Sequence, residues 1–138
     1  MRERREISDA DYETFDPAIV DLCRAINEFP DIQTSDSCQG FVDDHREGEP
    51  WSVYFSPNPS PPTPAGYASI EFLAGLSNRP ARDAGFDVRV RLNAPPPAIN
   101  GPGECLYFII EGIKRHPDEF AAFVRETRDA GFFLPDER

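Results

Sequence analysis

Phe86-Asp87-Val88-Arg89-Val90-Arg91-Leu92 alternates apolar and charged residues without a break. A period of two is the period of a strand, so Val88, Val90 and Leu92 face one way and Asp87, Arg89 and Arg91 the other. Next along the chain, Asn93–Gly103 (NAPPPAINGPG) is a stiff loop. Cys105–Ile110 (CLYFII) is nearly all apolar and reads as a central strand buried on both faces. Before the alternating strand, residues 65–77 fit two patterns. Ala68, Ile70 and Phe72 alternate, while Ala65, Ala68, Phe72 and Leu76 recur at helical spacing behind the cap pair Thr63-Pro64. Eleven or more residues run before Asn78 and Pro80 stop the pattern, and that length favours the helix.

Further out, Asp16-Pro17 reads as an N-cap and first helical residue. Ile19, Leu22, Cys23 and Ile26 then form an amphipathic stripe that Phe29-Pro30 ends. Ile32-Gln33-Thr34 is a short strand that enters a polar turn, Asp36-Ser37-Cys38-Gln39-Gly40. Asp43–Pro50 is a charged loop, and Trp51–Phe55 has the aromatic and β-branched content of a strand. Ser56–Pro64 (SPNPSPPTP) is a rigid connector, with polyproline recognition by a partner as its functional alternative. His116-Pro117-Asp118-Glu119 opens a last helix with acids where the dipole favours them. Phe120, Phe123, Val124 and Thr127 face inward, Gly131 closes the helix, and Phe132, Phe133 and Leu134 tuck back onto the core. The order α-β-β-α-β-β-α predicts an α+β (α/β) fold. It is a single domain over residues 15–138, with a mixed sheet of about four strands and helices mainly on one face. Residues 1–14 are charged, lack periodicity and read as a flexible segment.

The 138 residues suffice for one domain with a real core, and 39% apolar with 28% charged residues is a globular composition. No apolar run approaches the ~18 residues of a membrane span, and the N-terminus does not read as a signal peptide. Three cysteines without framework spacing point to a reduced, cytoplasmic setting.

Charge is distributed unevenly. Between Glu6 and Glu49 lie thirteen acids against Arg24 and Arg46 alone, which accounts for the whole net charge of −11. That sign disfavours generic nucleic-acid binding. The acidic third reads as a solubilising surface or as a docking surface for a basic partner. Arg79, Arg82, Arg89 and Arg91 form the opposite group, a solvated face or an anion contact.

Thr34-Ser35-Asp36-Ser37-Cys38-Gln39-Gly40 is the densest chemical signal. Hydroxyls, a carboxylate, a thiol and an amide follow a strand, and strand ends are where ligands bind in open sheets. Cys38 has three readings. It is a nucleophile with Ser37 beside it and His45 as base, a metal ligand with His45 and Asp43 or Asp44, or a small buried turn residue. The metal set lacks a recognised spacing, so no metal is assigned. Cys23 and Cys105 read as core, His116 as a cap, and Trp51 and Tyr54 as core aromatics or ring-stacking residues.

These residues carry a likeness. The succession Ala25-Ile26-Asn27, Ile32-x-Thr34, Ser37-Cys38-Gln39-Gly40 and a strand from Trp51 resembles the wybutosine-synthesis methyltransferase-like family of tRNA modification proteins, and small bacterial proteins with a similar opening. The likeness covers residues 19–55. It implies an α/β protein using S-adenosylmethionine, with Ser37, Cys38 and Gly40 near the active site. Phe41 stands where that family has a basic residue, and Gln39 where a serine is usual.

Two functions follow as expectations. The first is binding of a small ligand, S-adenosylmethionine-like by resemblance, at the Thr34–Gly40 turn. Thr34, Ser35, Asp36, Gln39 and Gly40 would line it, and Arg89 or Arg91 would contact an anion. The second is a non-catalytic interaction or immunity-type protein docking a basic partner.

Overall fold

The computed structural model describes residues 17–38, 50–59, 61–93, 106–113 and 115–133. A 3₁₀ turn, Pro17–Ile19, leads into α1 (Val20–Asn27), followed by β1 (Ile32–Cys38) and β2 (Trp51–Pro57). Then come α2 (Pro64–Leu76), a short helix Arg79–Asp83, β3 (Asp87–Asn93), β4 (Tyr107–Ile113) and α3 (Pro117–Thr127). A π-helical turn, Arg128–Phe132, continues α3. The α-β-β-α-β-β-α order and the α+β class hold. Asp16, Cys105 and Leu134 lie outside the described residues, as do 1–14, 39–49 and 94–105.

The four strands lie in the order β1-β2-β4-β3. Every neighbouring pair is antiparallel, so the sheet is not the mixed one expected. The connection through α2 carries the chain from β2 to the far edge, and β4 then fills the gap between β2 and β3. One face of the sheet meets the helices. Ile32, Trp51, Val53, Phe55, Val88 and Ile110 pack there against Ile19, Leu22, Ile26, Leu73, Phe120 and Val124.

The C-terminal helix opens as its sequence predicts. His116 is its N-cap, and the Glu119 carboxylate accepts from the His116 backbone N–H at 3.2 Å. Gly131, at φ 94°, takes the left-handed conformation that ends the helical path. Phe133 returns to the core, with ring centroids 5.0 Å from Phe29 and 5.3 Å from Phe72. Phe132 does not tuck in; it is 74% exposed.

Residues 64–76 are helical, and Thr63 caps them by accepting from the Gly66 N–H at 3.0 Å. The buried face is rotated from the expected one and carries Gly66, Ser69, Ile70, Leu73 and Leu76. The reason is a close approach. α2 lies against the Pro30-Asp31 turn, where the Ser69 hydroxyl donates to the Pro30 carbonyl at 2.7 Å. A Cβ on Gly66 would stand 3.0 Å from the Asp31 carbonyl oxygen. Asp31 itself sits at φ 56°, a conformation Asp tolerates better than most residues. Its carboxylate accepts the Thr63 hydroxyl at 2.7 Å, and its carbonyl accepts the Asn58 N–H at 3.0 Å. The proline-rich connector is thereby tied to the fold at both ends. Pro80 does not keep the chain out of helix: it starts the short helix that carries Arg79 and Arg82.

Candidate functional site

The largest departure from the sequence reading is in β1. The chain stays extended through Cys38 instead of turning at Asp36. Asp36 pairs with Tyr54, Ser37 with Val53 and Cys38 with Ser52. The pairing comes from β2, whose apolar alternation is strong, so a polar partner strand forms without an apolar pattern of its own.

A bulge between Thr34 and Asp36 leaves Ser35 without a partner in the ladder. One extra residue reverses the alternation from that point on. Thr34 lies on the helix-covered side, and after the bulge Ser37 shares that side. Ser37 hydrogen-bonds the thiol of Cys23 on α1. Burial pushes the Cys23 thiol up to about 12, outweighing the Ser37 hydrogen bond that lowers it. The thiol therefore stays protonated at neutral pH.

Thr34 is held by Asn27, the last residue of α1. The Asn27 amide nitrogen donates to the Thr34 hydroxyl at 2.8 Å, and the Thr34 N–H donates to the Asn27 carbonyl oxygen at 2.9 Å. A side-chain amide thus imitates a strand neighbour and locks the helix end to the strand. The Asn27 and Thr34 of the family likeness form this clamp, which gives both a structural job. Ser35, exposed at the bulge, donates to the Tyr54 carbonyl at 3.4 Å.

Arg89 and Arg91 lie on the reverse face of the sheet. The register sets Arg89 opposite Glu111 and Arg91 opposite Ile109. Both guanidinium groups converge on the Glu111 carboxylate. The Nε of Arg89 donates to Oε1 at 2.5 Å and that of Arg91 at 3.0 Å, with the Arg91 Nη2 3.5 Å from Oε2. The Glu111 side chain is 9% exposed, against 73% for Arg89 and 47% for Arg91. A covered carboxylate therefore holds two cations that reach solvent. Arg79 does not join them; it pairs with Asp83 on the short helix at 3.7 Å.

Glu111 escaped the sequence reading because it falls just beyond the apolar run. Two arginines on one face of β3 call for an acid on the strand beside it, and that was the available signal.

Beside this triad the same face carries Tyr54 of β2 and Tyr107 of β4. Their rings lie 5.9 Å apart and nearly parallel, at 14°. Ile109 lies between Tyr107 and Glu111 along β4. It is buried yet takes no part in the main core cluster.

Reading straight across the strands gives two adjacent rows. One runs Cys38, Ser52, Glu111, Arg89, and the next runs Asp36, Tyr54, Ile109, Arg91. The backbone register thus gathers Asp36, Cys38, Arg89 and Arg91 and separates them from Thr34 and Ser37. Gln39, Gly40 and His45, with Phe41, Asp43 and Asp44, lie outside the described residues. Among the described residues no cluster of His, Cys, Asp and Glu is arranged to hold a metal ion. Among them, too, no helix is long and apolar enough to cross a membrane.

Asp21 and Glu28, two acids of the N-terminal third, are engaged inside the molecule. Arg125 of α3 donates to Asp21 at 2.8 Å and to Glu28 at 2.9 Å, and Arg128 donates to Glu28 at 2.6 Å. Partial burial would raise the Glu28 carboxyl, but hydrogen bonds from Arg125 and Arg128 prevail and hold it below the ordinary carboxylate range. These ion pairs join α1 and its C-terminal end to α3 and the turn that continues it.

Compared with protein-family models, curated proteins and solved structures, the chain matches none.

Proposed function

We propose that this protein binds a small ligand on the reverse face of its sheet, across the two rows that contain Arg89, Arg91 and Tyr54. The observation that carries this reading is the Arg89–Glu111–Arg91 triad. In a chain of net charge −11, two solvent-reaching guanidinium groups share one covered carboxylate. Two guanidinium groups that reach solvent side by side suit an anion. The stacked tyrosines beside them offer a flat apolar surface. An adenosyl compound, which the likeness to the methyltransferase-like family suggests, is the first class to try.

The docking alternative gains no support from the described acids, because Asp21 and Glu28 already face arginines of the same chain.

A thermal-shift screen with S-adenosylmethionine, S-adenosylhomocysteine and common nucleotides tests the proposal. A ligand at one hundred times its Kd stabilises by about 2.7 kcal/mol, several degrees for a domain of this size. The expected shift disappears in Arg89→Ala/Arg91→Ala and survives in Thr34→Val. A shift that survives the double arginine variant rejects the site.

A further inference from the structure

We infer that two copies of this protein associate through the outer edge of β3, pairing antiparallel about Arg89 so that Asp87 of each copy meets Arg91 of the other. The inference does not depend on the ligand reading.

The strand order makes β1 and β3 the edges of the sheet. The backbone groups along an edge are a template for another strand, and proteins blunt edges with bulges or covering groups. β1 is blunted in both ways. Its ladder is interrupted by the bulge at Ser35, and the Thr34 N–H is taken by the Asn27 side chain at 2.9 Å. β3 is regular. It pairs with β4 from Asp87 to Asn93 with no shift in register, and it holds neither proline nor glycine. Among the described residues no strand lies on its outer side.

Charge selects a second copy as the occupant. Charges on an edge strand deter a partner of like charge, but those of β3 complement their own reversal. Asp87, Arg89 and Arg91 share one face, with the acid at one end and a base at the other. Reversing the strand against itself about Arg89 sets Asp87 opposite Arg91 at both ends, and opposite charges facing across two strands stabilise the pair. The two Arg89 residues meet at the centre, each already held by its own Glu111 carboxylate. Pairing about Val90 would instead set Arg89 opposite Arg91 twice. Pairing about Val88 would bring Arg91 opposite Gly85, which at φ 89° lies before the strand begins.

The apolar side of β3 agrees with this register. Val88 is 7% exposed, Val90 half-buried and Leu92 62% exposed. Reversed pairing about Arg89 sets Val90 beside Val88 of the partner subunit and Leu92 beside Phe86 of the partner subunit. The exposed end of each strand meets the covered end of the other.

Sedimentation equilibrium at low ionic strength, over a wide range of concentration, tests the association. The wild-type chain is expected to pass from monomer to dimer. Asp87→Arg and Arg91→Asp each create two like-charged pairs, and each should weaken the dimer at least about tenfold. Their equimolar mixture restores both complementary pairs and should form a heterodimer about as tight as the wild-type dimer. Far-UV circular dichroism checks each variant. If Arg91→Asp does not fold, cross-linking decides. Directly opposite residues of an antiparallel pair lie ~4.5–5.5 Å apart at Cα, within reach of a disulfide. Arg89→Cys, at a position whose side chain is 73% exposed, should therefore give a covalent dimer under mild oxidation. Asp87→Cys, offset from its own copy by ~13.6 Å along the strand, should give no more than the wild type.

A monomer at every concentration up to millimolar overturns the inference. So does a dimer that neither charge reversal weakens, or one that cross-links through Asp87→Cys as readily as through Arg89→Cys.

Discussion

The two faces of one sheet follow opposite rules. On the helix-covered face, β2 presents Trp51, Val53 and Phe55, all buried, and β4 presents Ile110 and Gly112. On the reverse face the same strands present Ser52, Tyr54 and Glu111, at the positions in between. The first face is occupied by helices and is explained by packing. The second carries an ion triad and an aromatic pair that the fold itself does not require. Because β2 and β4 are shared, neighbouring residues one position apart test stability on one side and binding on the other.

Removing the Phe55 ring is expected to have the largest effect on stability. Phe55→Ala should cost ~3–5 kcal/mol in urea denaturation, while Tyr54→Ala, on the half-exposed side, should cost well under half of that. Equal losses would mean that the two faces are equally packed.

Next in size is Gly112→Ala. A Cβ there would lie 2.4 Å from Cζ2 and 2.8 Å from Cε2 of Trp51. The indole cannot withdraw freely, since its Nε1 donates to the Arg115 carbonyl at 3.0 Å. A loss of ~1–3 kcal/mol is expected from overpacking. An unchanged denaturation midpoint would show that the indole moves.

The Asn27–Thr34 clamp should be worth ~1–2 kcal/mol. Asn27→Ala and Thr34→Val should each lower stability, and their effects should fail to add in the double variant. Additive effects would mean that the two hydrogen bonds do not couple the helix end to β1.

The smallest effect is that of pH on the helix pair. Glu28 is held below its unfolded value, so its stabilising contribution is present above the ordinary carboxylate range. It is lost as pH falls through the lowered value. The side chain is 39% exposed, so solvent screening keeps the contribution below about 1 kcal/mol. The thermal midpoint should fall on acidification below about pH 4, and Glu28→Gln should flatten that part of the profile. An identical profile in the variant would remove Glu28 from the account.

How much of this the sequence disclosed follows from which elements carry their own pattern. β3 was legible because Val88 and Val90 alternate with Arg89 and Arg91. The same alternation assigned the arginines to the face away from the core. The last helix was legible from His116-Pro117 and Gly131. β1 was not, because Ser35 to Cys38 hold no apolar alternation and are extended only through pairing with β2. The bulge at Ser35 is a property of that pairing, so the division of Ser37 from Asp36 could not be read from β1 alone. The buried side of α2 was misread for a similar reason. Gly66 and Ser69 face inward because the backbone of Pro30 and Asp31 passes close by, a contact with no local signature. Of the candidate site, Arg89 and Arg91 were legible. Their carboxylate, Glu111, was not, since the apolar run before it drew the strand's boundary too early.

The most direct measurement of the central claim is a two-dimensional amide NMR titration with S-adenosylmethionine. Ligand binding on the reverse face predicts shifts concentrated at Ser52, Tyr54, Tyr107, Ile109, Glu111, Arg89 and Arg91, with Leu22, Cys23 and Val124 on the helical side unchanged. Shifts gathered on α1 and α3 with the sheet silent, or no shifts at millimolar ligand, would contradict it.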